Sequence, residues 1–186
     1  MKREAAHFAD VLPSAPLSEL RAVLVRRVPL IPLLASAPVD FPFTSGKAYR
    51  FNPRSIGCVY FAEDEVTATA EYVRHQGNRG PFATYYAEVR LRRLLDLGDA
   101  RTLAVLGLKD GDLQSAWRGA RTPTATQCLG EAVNTSSGIS AIRYPSDAAR
   151  AKGFVGANLV IFRECVQRPD RVHILGPTRS PLQKWP

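Results

Sequence analysis

AYRFNPRSIGCVYFAEDEVTATAE, residues 48–71, passes from a proline-containing loop into an apolar run and then into a helical repeat. GCVYFAE has the β-branched and aromatic density of a buried strand. Asp64 then stands where a helix needs its N-cap, Val66, Ala70 and Val73 recur at helical spacing, and Gly77 supplies a stop. That spacing predicts a helix with Glu71 beside its buried stripe rather than within it. Packing accounts for Val59, Phe61, Val66 and Ala70. It does not account for Arg50, Tyr60 and Glu71, which place one polar group each on the loop, the strand and the helix.

Working outward, RAVLVRRV predicts the first core strand, ended by Pro29, and a proline-rich connection over residues 29–42 leads to the loop. YYAEVRLRR alternates, with Tyr85, Ala87, Val89 and Leu91 on one face and Tyr86, Glu88, Arg90 and Arg92 on the other, as in a half-covered strand. Short helices are expected over 110–118 and 124–135, capped by Asp110 and Thr124 and interrupted by Pro123 and Gly130. SAIRYP, NLVIF and DRVHIL predict three further strands. The order is that of an α+β domain, a single mixed sheet with a few helices. Residues 1–20, polar and broken by Pro13 and Pro16, are expected as a loosely attached arm before a domain over 21–186.

A chain of 186 residues, 45% hydrophobic and 23% charged, can bury a substantial core without staples. Cys58, Cys128 and Cys165 are widely spaced and only His7, His75 and His173 stand ready to join them, so neither a disulfide nor a metal is expected. The longest greasy run, VPLIPLLASAPV, is short and broken by prolines, and the amino terminus lacks a secretory apolar core; a cytoplasmic location without a membrane anchor is expected. The net charge of +8 rests mostly on arginine, whose planar fork suits phosphate oxygens. A nucleic acid, a phosphate-bearing cofactor or an acidic protein all fit that balance. Phosphate-loop, dinucleotide-fold, nucleophile-elbow and zinc-protease motifs are absent from the sequence. Glu63, Asp64 and Glu65 read as a cap with favourable dipole charge and carry no catalytic assignment. Taken alone, Glu71 reads equally as a surface partner of Arg74 or His75.

Tyr49, Arg50, Phe51, Asn52 and Pro53, then Val59, Tyr60 and Phe61, then Ala68 and Glu71, resemble the core of the RES domain, the toxin half of a bacterial toxin–antitoxin class. Upstream, VLVRRVP resembles the family's opening arginine strand, matched by Arg26 with Arg27 as the alternative. Downstream, IRYPSDAA resembles its proline–serine segment and GANLVIF its closing asparagine strand, which singles out Ser146 and Asn158. The pieces span residues 22–162. Two departures stand in the loop: Lys47-Ala48-Tyr49 replaces a pair of glycines before the arginine, and Phe51 replaces a tryptophan.

The resemblance implies a fold like that of mono-ADP-ribosyltransferases and an enzyme that uses NAD+ as co-substrate, cleaving the nicotinamide–ribose bond. Nicotinamide leaves as a neutral base from a cationic ring, so no general acid is needed; holding the dinucleotide and stabilising a cationic sugar is the remaining task. In that reading Arg26 and Arg50 hold the pyrophosphate, Tyr60 packs on nicotinamide with Tyr49 as a second stacking surface, and Glu71 takes the ribose 2′-hydroxyl. Ser146 and Asn158 position these groups, and Asn52 belongs to the binding loop. The resemblance further implies a cognate antitoxin covering the site and transfer to a host protein, with NAD+ hydrolysis or phosphorolysis as alternatives. A basic nucleic-acid-binding module is the reading from another class.

Overall fold

Strand formation here follows the side-chain alternation closely. The computed structural model describes residues 2–30, 47–54, 56–77, 80–114, 116–135 and 138–186. Helix α1 (Lys2–Val11) and a 3-10 turn (Leu12–Ser14) precede strand β1 (Leu17–Pro29). β2 (Cys58–Ala62), α2 (Glu65–Gln76) and β3 (Phe82–Asp96) follow, then helices α3 (Ala100–Leu106), α4 (Asp110–Leu113) and α5 (Ala125–Thr135). The last third holds β4 (Ala141–Pro145), α6 (Asp147–Ala151), β5 (Ala157–Phe162), β6 (Arg171–Leu175) and β7 (Pro181–Trp185). The expectation of a single mixed-sheet domain with helices is met.

The sheet runs β1-β2-β5-β4-β3-β6-β7, and β1 also pairs with β3, so five strands close on themselves while β6 and β7 extend from β3. β3 and β4 run parallel; the other ladders are antiparallel. β3 makes this possible by its length of 15 residues, pairing with β1 on one edge and with β6 and then β4 on the other. The ring is tight everywhere except between β1 and β2, which meet at a single register pair, Val25 and Ala62.

Alternation divides the core in two. Leu24, Val59, Phe61, Tyr85, Val89, Leu159 and Ile161 gather on one face of the strands. Cys58, Val160, Phe162 and Ile142 point the other way and pack with Phe8, Leu12, Leu106, Leu129 and Val133 from the helical layer. The segment expected as a loose arm is therefore corrected: Phe8 and Leu12 are 4% and 3% exposed within the main core, and β1 already begins at Leu17. α1 carries charged residues at both ends, and Phe8 and Val11 seat it on the core.

Three further corrections concern packing. In α2 the inward face is Thr67, Ala68, Ala70 and Tyr72, while Val66 is 62% exposed, so small residues rather than the bulkiest one face the sheet. The helix expected over 110–118 ends at Leu113. α3, α6 and β7 were not anticipated. Most of the proline-rich connection, residues 31–42, lies outside the described residues. Cys58, Cys128 and Cys165 are buried thiols outside any disulfide.

Candidate functional site

Asp64 caps α2 as expected: its carboxylate accepts the Thr67 N–H at 2.7 Å and the Thr67 hydroxyl at 2.8 Å. Gly77 closes the helix at φ 63°, a conformation that favours glycine. Between these stops, Gly156 lets α2 and α6 approach the start of β5, since a Cβ there would lie 2.3 Å from the Thr67 hydroxyl. This close approach presents Glu71 to Ser146, the N-cap of α6, and to Asn158 in β5.

Glu71 Oε1 accepts hydrogen bonds from Ser146 Oγ at 2.7 Å and Asn158 Nδ2 at 2.6 Å. Its Oε2 lies 3.3 Å from His75 Nε2. Burial works against the charge, but donors from His75, Ser146 and Asn158 outweigh it and hold the Glu71 pKa at about 2. Glu71 thus lies beside the buried stripe of α2, as expected, with its carboxylate turned to β5 and the start of α6. Its pairing with His75 is real, but it is one of three contacts, and Arg74 is not among them.

On the far side of His75, the Arg118 guanidinium lies 2.8 Å from Nδ1. Guanidinium can only donate, so Nδ1 accepts and the ring is the neutral tautomer whose Nε2–H points at Glu71. His75 and Arg118 together orient the carboxylate from the rim.

The loop before β2 is built from behind. Tyr60 Oη accepts the Phe51 N–H at 3.0 Å and donates to Asn52 Oδ1 at 2.9 Å, while Asn52 Nδ2 donates to the Lys47 and Pro53 carbonyls. Burial raises the Tyr60 pKa well above its ordinary value, so it remains a neutral phenol. From α5, Gln127 donates to the Tyr49 carbonyl at 2.9 Å, and Gly130 sits so close that a Cβ would fall 1.6 Å from the Phe51 carbonyl oxygen. The glycine that interrupts the helical pattern in the sequence is the seat of the loop.

A cleft of about 790 Å³ opens over these groups. Arg26, Arg27, Tyr49, Arg50, Tyr60, Glu71 and Asn158 all line it, so seven of the nine residues singled out from the sequence converge. Ser146, 2% exposed, and Asn52, fully buried, stand behind it as supports of Glu71 and Tyr60. Tyr144, Trp117, Arg118, Asp147 and His75 line the cleft without having been assigned there from the sequence. Trp117 packs at a tilt against Tyr49 at 5.7 Å between ring centroids, and Tyr49 against Tyr60 at 5.9 Å, giving one continuous aromatic wall.

The arginines differ in their partners. Arg50 has a carboxylate from far along the chain: Asp147 Oδ2 at 3.0 Å, with a further bond to the Leu113 carbonyl. Arg27 donates to Thr69, lies 3.9 Å from Glu65 and covers the Phe82 ring at 4.3 Å. Arg26 donates to the Tyr60 carbonyl at 3.0 Å. Burial lowers its pKa, an effect that Tyr49, Cys58, Tyr60 and Tyr144 counter only in part. A partly enclosed guanidinium held by a neutral carbonyl is the arginine of this cleft that gains most from an incoming anion.

A family model for the RES domain matches residues 24–182. The chain belongs to the RES-domain family. No curated protein matches it. Among solved structures, this RES domain superposes on a chain in the crystal structure of the M. tuberculosis MbcT–MbcA toxin–antitoxin complex, with TM-score 0.61 and 16% identity over 92% of this chain and 93% of that one. The likeness establishes the fold. Among the described residues no group of three or more His, Cys, Asp or Glu side chains could hold a metal ion, and no helix is long and apolar enough to cross a membrane.

Proposed function

We propose that this RES domain is the toxin of a toxin–antitoxin pair and that its cleft takes NAD+ and breaks the nicotinamide–ribose bond, passing ADP-ribose to a protein side chain. The observation that carries the reading is Glu71: a carboxylate fixed by three donors at the wall of a cleft that also holds five arginines. The dimensions and chemistry fit a dinucleotide. About 790 Å³ falls in the range of small-molecule sites, the cations match a pyrophosphate, and the aromatic wall offers stacking faces for the bases.

Within that reading the residues divide the work. Arg26 binds phosphate oxygens, and Arg50, oriented by Asp147, supplies a second guanidinium whose direction is already set. Tyr49, Tyr60 and Trp117 bind ring faces and exclude water. Glu71 keeps Oε1 on Ser146 and Asn158, and Oε2, with His75 on one side at 3.3 Å, has its second lone pair for a ribose hydroxyl and its charge for the positive centre that grows at the anomeric carbon as nicotinamide departs. Because the pyridinium leaves as a neutral base, no residue need donate a proton to it. The acceptor attacks that carbon; with water or phosphate in its place the same residues give hydrolysis or phosphorolysis.

The test is incubation of the purified protein with NAD+, with and without a bacterial lysate, following free nicotinamide and product masses. Nicotinamide release with ADP-ribose mass added to a protein supports the full reading. Release with free ADP-ribose or its phosphate replaces the transferase step, and no release in either preparation rejects the reading. Growth arrest on expression alone, relieved by a cognate partner seated over the cleft, tests the toxin assignment.

A further inference from the structure

We propose that the outer face of β1, β3 and β6 is a docking surface for the phosphate backbone of a nucleic acid, separate from the cleft. Arg21 in β1 is the register partner of Arg90 in β3, and Arg90 is the partner of Arg171 in β6. Direct partners project from the same side of a sheet with Cβ atoms about 5 Å apart, so three exposed guanidinium groups stand abreast across three strands. Like charges placed this way oppose folding.

Several other arginines of the fold have something to hold. Arg143 is clasped by Glu63 and Asp96, Arg92 lies 3.9 Å from Glu19, and Arg179 covers the Tyr86 ring at 4.9 Å. Arg21, Arg90 and Arg171 have no carboxylate, hydrogen-bond or ring partner among the described residues. The next row along the same face is Val23, Glu88, His173 and Lys184, in which Glu88 is the single carboxylate. The other end of this face is closed off, for Val25 and Tyr86 pack with Ala68 of α2. Arg21 stands four residues before Val25, roughly 13 Å along the strand, on bare sheet.

A polyanion with regularly spaced charges relieves all three repulsions at once. The central row is wholly arginine, with no aromatic or large aliphatic anchor between the guanidinium groups and Val23 the one exposed aliphatic residue in the row beside it, which fits a phosphate backbone better than the buried apolar centre of a protein interface. The proposed contacts are to phosphate oxygens alone, so binding is independent of sequence.

The experiment is a fluorescence-anisotropy titration of the full chain against a short DNA duplex and a single strand of the same length, between about 50 and 200 mM salt. The comparison protein carries Arg21→Gln, Arg90→Gln and Arg171→Gln. The wild type should bind with a steep salt dependence, and the triple variant should lose about three in the log–log slope on the duplex, near 0.9 per phosphate contact. Its melting temperature should not fall, because the substitution removes repulsion. If the triple variant folds poorly, Arg90→Gln alone, at the centre of the row, must still weaken binding. No binding by wild type at the lowest salt overturns the proposal, as does equal binding by the variants. Binding of polyglutamate without binding of either nucleic acid also overturns it, in favour of an acidic protein partner.

Discussion

Glu71 would be driven toward neutrality by burial alone, and its side chain is only 23% exposed. Three donors reverse that tendency and hold its pKa near 2 instead of the ordinary 4.5. The sign follows: a depressed carboxylate contributes stability that is fully present above about 4.5 and is lost as pH falls through about 2. Turnover should therefore show no acid limb from Glu71 near neutral pH. Ser146→Ala removes a donor at 2.7 Å and should raise the Glu71 pKa, bringing an acid limb of kcat/KM up toward the ordinary carboxylate range; an unchanged profile would show that Ser146 serves only to cap α6. Glu71→Gln keeps the shape and loses the charge, and nicotinamide release should fall about 10²-fold or more, a loss of ~3 kcal/mol of transition-state stabilisation. A Gln variant with undiminished release would leave Glu71 as a partner of His75 and nothing more. Both side chains were legible in the sequence because resemblance ties them to ordered motifs. Asp147 was not, because its tie to Arg50 spans 97 positions and no local pattern announces it.

Helix α5 and the Tyr49–Pro53 loop form one device. The loop lies directly on Gly130, Gln127 holds the Tyr49 carbonyl, and Tyr60 closes it from β2. Gly130→Ala places a carbon inside the Phe51 carbonyl, so loop and helix must separate. Chemical denaturation should show a loss of about 1–3 kcal/mol or more, as for overpacked sites, and KM for NAD+ should rise because Tyr49 and Arg50 move with the loop. Wild-type stability and KM would mean that the loop is not seated there. The elements differ in how far they could be read. β3 and β5 declare themselves through alternation and apolar density, and α2 through its cap and stop. α6 is five residues long and β7 carries a proline and a lysine, so neither has enough periodicity to stand out. The inward face of α2 departs from the apolar spacing because Thr67, not Val66, meets the narrow gap beside Gly156, and Ala68 packs on Val25 and Ala62.

Across the whole molecule, closure of the strand ring brings β1, the loop, β2 and α2 to one cleft, although their residues lie apart in sequence. Pairing order is set by contacts between distant segments, and for that reason the sheet could be classed from the sequence but not ordered. The weakest seam is between β1 and β2, which share one register pair, Val25 and Ala62, and the bond from the Arg26 side chain to the Tyr60 carbonyl, and the cleft draws Arg26 from one side of it and Tyr60 and Glu71 from the other. A dinucleotide bound there bridges the seam and should stabilise the entire domain. Glu71→Gln, which binds without rapid turnover under the proposed reading, is the protein in which to measure this. With NAD+ at about a hundredfold above Kd, linkage gives ~2.7 kcal/mol, or a rise in Tm of roughly 5–10 °C for a domain of this size. Adding Arg26→Gln to that variant should abolish most of the rise while leaving the ligand-free melting point close to unchanged, because Arg26 is bonded to a carbonyl and holds no carboxylate. A Tm indifferent to millimolar NAD+ would mean that the cleft does not take the dinucleotide, whatever its charge and shape suggest.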